Sequence, residues 1–194
     1  MMSPEITDLA GLRAHRGFAR LLDYVAEKRG LSRWASRAAI DPVDIPTLLP
    51  HLWLIEIVRD SGKPRLLVRL AGTRVESVYD RRLAGIWLED LDWGENSARI
   101  FASLYGMAES GRGHFLDASA RIKPRLARRV MRLGLPLAEA EAKPTHLLML
   151  ALYEFARGDQ RSIGPDYFRE FWLDTAAAAD DAGRGGTAAL NETP

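Results

Sequence analysis

HLWLIEIVRDSGKPRLLVRLAGTRVESVYDRRLAG, residues 51–85, reads as strand, tight turn, strand and short helix. Leu66, Val68 and Leu70 alternate with Arg65, Leu67 and Arg69, the two-residue period of a strand with one buried face. Upstream, LWLIEIV is apolar on both faces, the pattern of a strand nearer the middle of a sheet. Asp60, Ser61 and Gly62 supply hairpin turn chemistry between the two. Thr73 is placed to cap the helix that follows, and Gly85 to end it.

Outward from this unit, residues 5–30 carry a helical pattern. Phe18, Leu21, Leu22 and Val25 recur at spacings of three and four, and Gly30 is a stop. Asp41 before Pro42 is a helix-start signal, while Pro46 and Pro50 forbid a long regular helix. Downstream, Asn96 or Ser97 caps a helix whose apolar face is Ile100, Phe101, Leu104, Met107 and Ala108; Gly111 and Gly113 mark its end.

Three further strands are predicted over 114–123, 126–137 and 143–155, with Lys123-Pro124-Arg125 turning between the first two. In the second, Arg129, Met131 and Leu133 share one face, against Arg128, Val130 and Arg132. The third is apolar on both faces, and periodicity alone leaves it open between strand and helix. It is read as a strand because the preceding pair otherwise lacks a covered neighbour. Tyr167, Phe168, Phe171 and Trp172 then cluster at helical spacing.

This order predicts an α+β fold with one five-stranded antiparallel sheet and helices packed on one face. The other face is left for the N-terminal helix or a second subunit. The expected division is an N-terminal helical extension over 1–40, a core domain over 41–157, an aromatic segment over 158–175 and a glycine-rich, disordered tail over 176–194.

Composition narrows the function. Of 194 residues 47% are hydrophobic, enough for a sizeable core, and a net charge of +1 does not argue for nucleic acid, so no nucleic-acid partner is expected. There is no cysteine, which removes disulfides, thiolate nucleophiles, iron–sulfur ligands and a flavin–cysteinyl adduct. No signal peptide and no apolar run of membrane-spanning length is seen, so the expectation is a soluble, cytoplasmic protein without a membrane partner.

Catalysis finds no motif: no G-x-S-x-G, phosphate-binding loop or G-x-G-x-x-G is present. Glu89, Asp90 and Asp92 sit beside two tryptophans and read as a turn or cap. His15, His51, His114 and His146 share no metal-like spacing with carboxylates, so no metal is expected. Arg121, Lys123, Arg125, Arg128, Arg129 and Arg132 form the strongest charge cluster, read as a solvated strand face.

Three segments carry a family resemblance: IDPVDIPTLLPHLWLIEI, RLLVRLAGTRVESVYDRRLAGIWLEDL and RRVMRLGLPL. The proline-rich entry, the strand ending in Gly72-Thr73 and the DR-x-L-x-G segment from Asp80 to Gly85 resemble a PAS sensory domain. More narrowly they resemble the single-PAS proteins of alphaproteobacteria, a family of unknown function. Tyr79 stands where that family usually has glycine, and AEAEAKP replaces its usual glycine-containing turn.

The resemblance implies a ligand cavity between the sheet and the helices of residues 74–110. Its pocket candidates are Arg74, Tyr79, Trp87, Tyr105 and His114. The cofactor stays unknown: some PAS domains hold haem through a histidine, and others hold flavin, but no residue here supports either. The implied function is a non-catalytic sensory module that binds a small ligand or protein partner, forms a homodimer and signals in trans. Two rivals are a structural homodimerisation module without ligand and a small-molecule enzyme in a cone-shaped α+β fold.

Overall fold

A computed structural model of the chain describes residues 5–60, 62–122, 125–139, 143–155 and 167–174. Ser61 of the first turn, Lys123 and Pro124 of the second, and the tail from Ala176 lie outside the described residues.

The sheet has six antiparallel strands, not five, in the order β2-β1-β5-β4-β3-β6. They are β1 Leu52–Val58, β2 Arg65–Ala71, β3 Gly113–Ile122, β4 Arg125–Leu137, β5 His146–Phe155 and β6 Phe168–Leu173. The sixth strand is the aromatic segment. Its rings looked helical because both faces of the sheet are covered, so no polar alternation marks the strand. Leu173 pairs with Gly113 and Phe168 with Ala118 along the β3 edge.

Helices cover both faces. On the outer face lie α1, Leu9–Ala14, and α2, Arg16–Arg29, which break at His15 and stop at Gly30 with φ +55°. Phe18, Leu21 and Leu22 of α2 join Leu54, Leu133 and Leu150 of the strands in one core cluster. On the inner face lie α3, Thr73–Tyr79, and α4, Ser97–Ser110. Val75, Leu104 and Met107 pack there on Trp53, Ile55 and Met149. Each fully buried side chain of this size contributes about 1.5–3 kcal/mol, so two such clusters hold the sheet from both sides.

The opening stretch folds as read, with its helix ends corrected. Gly72 is the N-cap of α3, Thr73 is its first residue, and no side chain caps it. The reason is steric: a Cβ on Gly72 would run into the Leu49 carbonyl and the Pro50 backbone. α3 ends at Asp80 in the left-handed conformation rather than at Gly85. Gly85, at φ +85°, instead turns the chain onto β2, donating its N–H to the Val68 carbonyl at 2.8 Å. Leu83 is fully buried between these anchors, with its N–H on Glu76 Oε1 at 3.0 Å.

Candidate functional site on the inner sheet face

The inner face is built on alternate residues of four adjacent strands. Trp53 and Ile55 come from β1, Met149, Ala151 and Tyr153 from β5, Arg132 and Gly134 from β4, and His114 from β3. Gly134 is required by the helix above: a Cβ there would lie 2.7 Å from Met107 Sδ.

At one end the face is aromatic. Trp53 meets Tyr79 edge-on at 5.6 Å and Trp93 at 6.2 Å. Trp93 meets Phe101 at 6.1 Å, and Phe101 stacks on Tyr105 at 6.0 Å. Such ring pairs contribute about 0.5–1.5 kcal/mol each beyond their area. Trp93 Nε1 donates to the Leu88 carbonyl at 2.8 Å, which fixes the loop onto the helix layer.

Tyr79 and Tyr153 are a special pair. Desolvation is the first cause of the raised pKa of both, and Tyr153 is pushed up to about 12. Each nevertheless keeps part of its surface accessible.

At the other end the face is polar. Arg132 is only 4% exposed, and its Nη2 donates to Ser103 Oγ at 3.2 Å. Ser103 Oγ donates in turn to the Ile100 carbonyl at 2.8 Å. Among the described residues, no carboxylate pairs with Arg132. Burial pulls its pKa down, against the influence of Tyr153, Tyr79 and Glu170. His114 is buried beside it, with Nε2 at 3.0 Å from Glu170 Oε2 and its ring edge-on to Trp172 at 4.7 Å. Burial first, and then Arg132, lower the His114 pKa to about 4, so the imidazole is neutral at physiological pH. Glu170 Oε1 is held by Arg99 Nη2 at 3.4 Å.

Arg132 corrects the reading of the basic hairpin as a solvated face. β4 lies between β3 and β5 under helices on both sides, so its arginines go inward. Arg129 is 5% exposed on the outer face, and Arg132 is buried on the inner one. The other four basic side chains of the hairpin lie outside what the structure describes.

The five residues singled out in the sequence divide. Tyr79 and Tyr105 lie in the aromatic part, and His114 in the polar part. Tyr105 donates to Glu89 Oε1 at 2.7 Å, and the same oxygen takes the Leu66 N–H at 3.0 Å. Burial first, and then Glu89, raise the Tyr105 pKa. Trp87 lies beyond β2, bridging to Leu67 under the Arg65 guanidinium at 4.0 Å. Arg74 is exposed on α3. Missed in the sequence were Arg132, Ser103, Tyr153 and Glu170. One signal for Arg132 was available: it shares its strand face with Gly134 and Pro136, an unusual setting for a solvated arginine.

Haem does not fit this site. His114 holds Glu170 through Nε2, and its Nδ1 is fully enclosed. The other three histidines stand on other elements, His15 against Phe18, His51 in the turn before β1 and His146 beside Thr145. Among the described residues there is no cluster of His, Asp and Glu that could hold a metal ion. No described helix is long and apolar enough to cross a membrane.

An antiparallel sheet with strands β2-β1-β5-β4-β3 in succession, and short helices followed by one long helix across its inner face, defines a PAS-like α+β sensor fold. The match to the PAS domain family model runs over residues 13–151, most of the chain, and the chain belongs to that family. No curated protein matches the chain.

Proposed function

We propose that this protein is a cytoplasmic, non-catalytic PAS sensory module. It binds a small ligand on the inner sheet face and signals in trans as a homodimer. The observation that carries this reading is the inner face itself. It combines an aromatic wall, two strongly desolvated tyrosine hydroxyls, and a buried guanidinium whose one hydrogen bond among the described residues goes to a neutral serine. Sites with an apolar lining and few convergent polar groups are the usual form of a ligand site. Family membership supports a sensory or signalling role in general.

The ligand works by shifting a population. It favours one packing of α3 and α4 over the other, and the difference passes through the sheet to the outer layer. β6 supports contact in trans: among the described residues it is the last strand of the sheet, and such edges accept another chain. The structural homodimer without ligand is the rival reading. Covering of the outer face by α1 and α2 removes the surface that most favoured it.

Native mass spectrometry separates the two. The expected spectrum shows a dimer carrying a small extra mass that disappears on denaturation. A bare dimer with no extra mass contradicts ligand binding and favours the rival.

A further inference from the structure

Building on that ligand-binding reading, we propose that the inner-face site takes a small organic acid as its monoanion, with the carboxylate on the Arg132 guanidinium and the apolar body against Tyr79 and Trp53.

A guanidinium keeps its charge at any physiological pH, and a buried one is costly unless an anion pairs with it. Arg132 is 4% exposed and has, among the described residues, a single side-chain hydrogen bond, to a neutral serine hydroxyl. Its nearest influential carboxylate is Glu170, whose two oxygens are already taken by His114 and Arg99. The same strand shows how this fold neutralises a buried arginine when structure alone is at stake. Arg129 Nε and Nη2 grip the two oxygens of Asp117 at 2.9 and 2.7 Å. Among the described residues Arg132 has no such partner, and the groups whose influence it feels on the inner face are Tyr153 and Tyr79, with Glu170 behind them.

The surroundings select the kind of anion. One cation stands among neutral hydroxyls, on Ser103, Tyr79 and Tyr153, beside a neutral imidazole. A carboxylate matches a single guanidinium in charge and in its planar, two-pronged geometry. A phosphate monoester would bring a second negative charge towards Glu170 with no second buried cation to meet it. The rings of Tyr79 and Trp53, edge-on at 5.6 Å, suit an apolar or aromatic body.

Calorimetric titration of the full chain tests this with acetate, benzoate and phenylacetate, each against its own amide, and with phenyl phosphate. At least one acid is expected to bind about tenfold or more tightly than its amide. Arg132→Met is expected to erase that preference, and Arg132→Lys to restore part of it. Phenyl phosphate is expected to bind no more tightly than benzoate. Should Arg132→Met not fold, as judged by circular dichroism, Ser103→Ala serves in its place and is expected to weaken the acid and spare the amide. Equal binding of every acid and its amide, or a preference that survives Arg132→Met, overturns the assignment while leaving a ligand site in place. Tighter binding of phenyl phosphate overturns the monoanion. Silence from all seven compounds overturns the assignment too; an extra mass in the native spectrum then still upholds ligand binding.

Discussion

Arg129 and Arg132 stand three residues apart on β4, buried on opposite faces of one sheet, and only Arg129 holds a carboxylate among the described residues. Asp117 closes the first arginine with two hydrogen bonds, and Tyr167 adds a third to Asp117 Oδ1 at 3.0 Å. The second has a serine. This difference separates a structural arginine from one kept for a ligand, and the two predict opposite results on mutation.

Asp117→Ala strips Arg129 of both its short carboxylate bonds and leaves it the longer contact with Glu154 at 3.9 Å. Breaking a buried pair in this way costs about 3–5 kcal/mol. Urea denaturation of the variant is expected to show a loss in that range. A loss below about 1 kcal/mol would mean that the pair is solvated in solution.

Arg132→Met does the reverse in the ligand-free protein. It removes a desolvated charge with no anion and keeps the volume of the stem. A gain of about 1–3 kcal/mol in unfolding free energy is expected, by analogy with apolar replacement of buried charges. A loss of similar size would show that Ser103 and Glu170 already satisfy the guanidinium, and the ligand reading of Arg132 would then fail.

His114 gives the protein an acid-sensitive point. Its pKa, about 4 when folded, lies below the ordinary 6.5, so the unfolded chain takes up a proton that the folded one refuses. Stability from this group is therefore complete above about pH 6.5 and is lost as pH falls towards 4, by up to about 3 kcal/mol. His114→Gln, which retains a donor for Glu170, is expected to flatten that part of the stability–pH curve. His15, His51 and His146 are lowered by burial as well, so a slope unchanged by the variant would assign the loss to them.

Gly72→Ala tests why the strand before α3 ends in glycine. Its Cβ would meet backbone atoms of Leu49 and Pro50, which do not move aside easily. Overpacking of this kind costs about 1–3 kcal/mol. A thermal midpoint equal to that of the native chain would show that the Leu49–Pro50 turn is not held against β2.

Much of this fold was legible. Leu66 and Val68 alternate out of β2 as a half-covered strand should, and Phe18, Leu21, Leu22 and Val25 mark the buried stripe of α2. β5 was read correctly only because its neighbours needed a covered partner. β6 escaped, since Phe168 and Trp172 face one helix layer while Phe171 and Leu173 face the other, which hides the strand period. The site was harder. Tyr79, Tyr105 and His114 came from a family resemblance, and the structure places all three on the inner face. Arg132 was misread because charge in a sequence signals solvent, and only the place of β4 inside the sheet reverses that inference.

The claim that this module holds its ligand on the inner sheet face is tested most directly by amide chemical shifts. The 15N-labelled protein is titrated with benzoate and phenylacetate while its assigned backbone resonances are followed. The account predicts that the largest changes fall on Tyr79, Ser103, Arg132, Gly134 and Ala151, with the middle of α2 less affected. Changes centred on Phe18 to Val25 of α2 would contradict it.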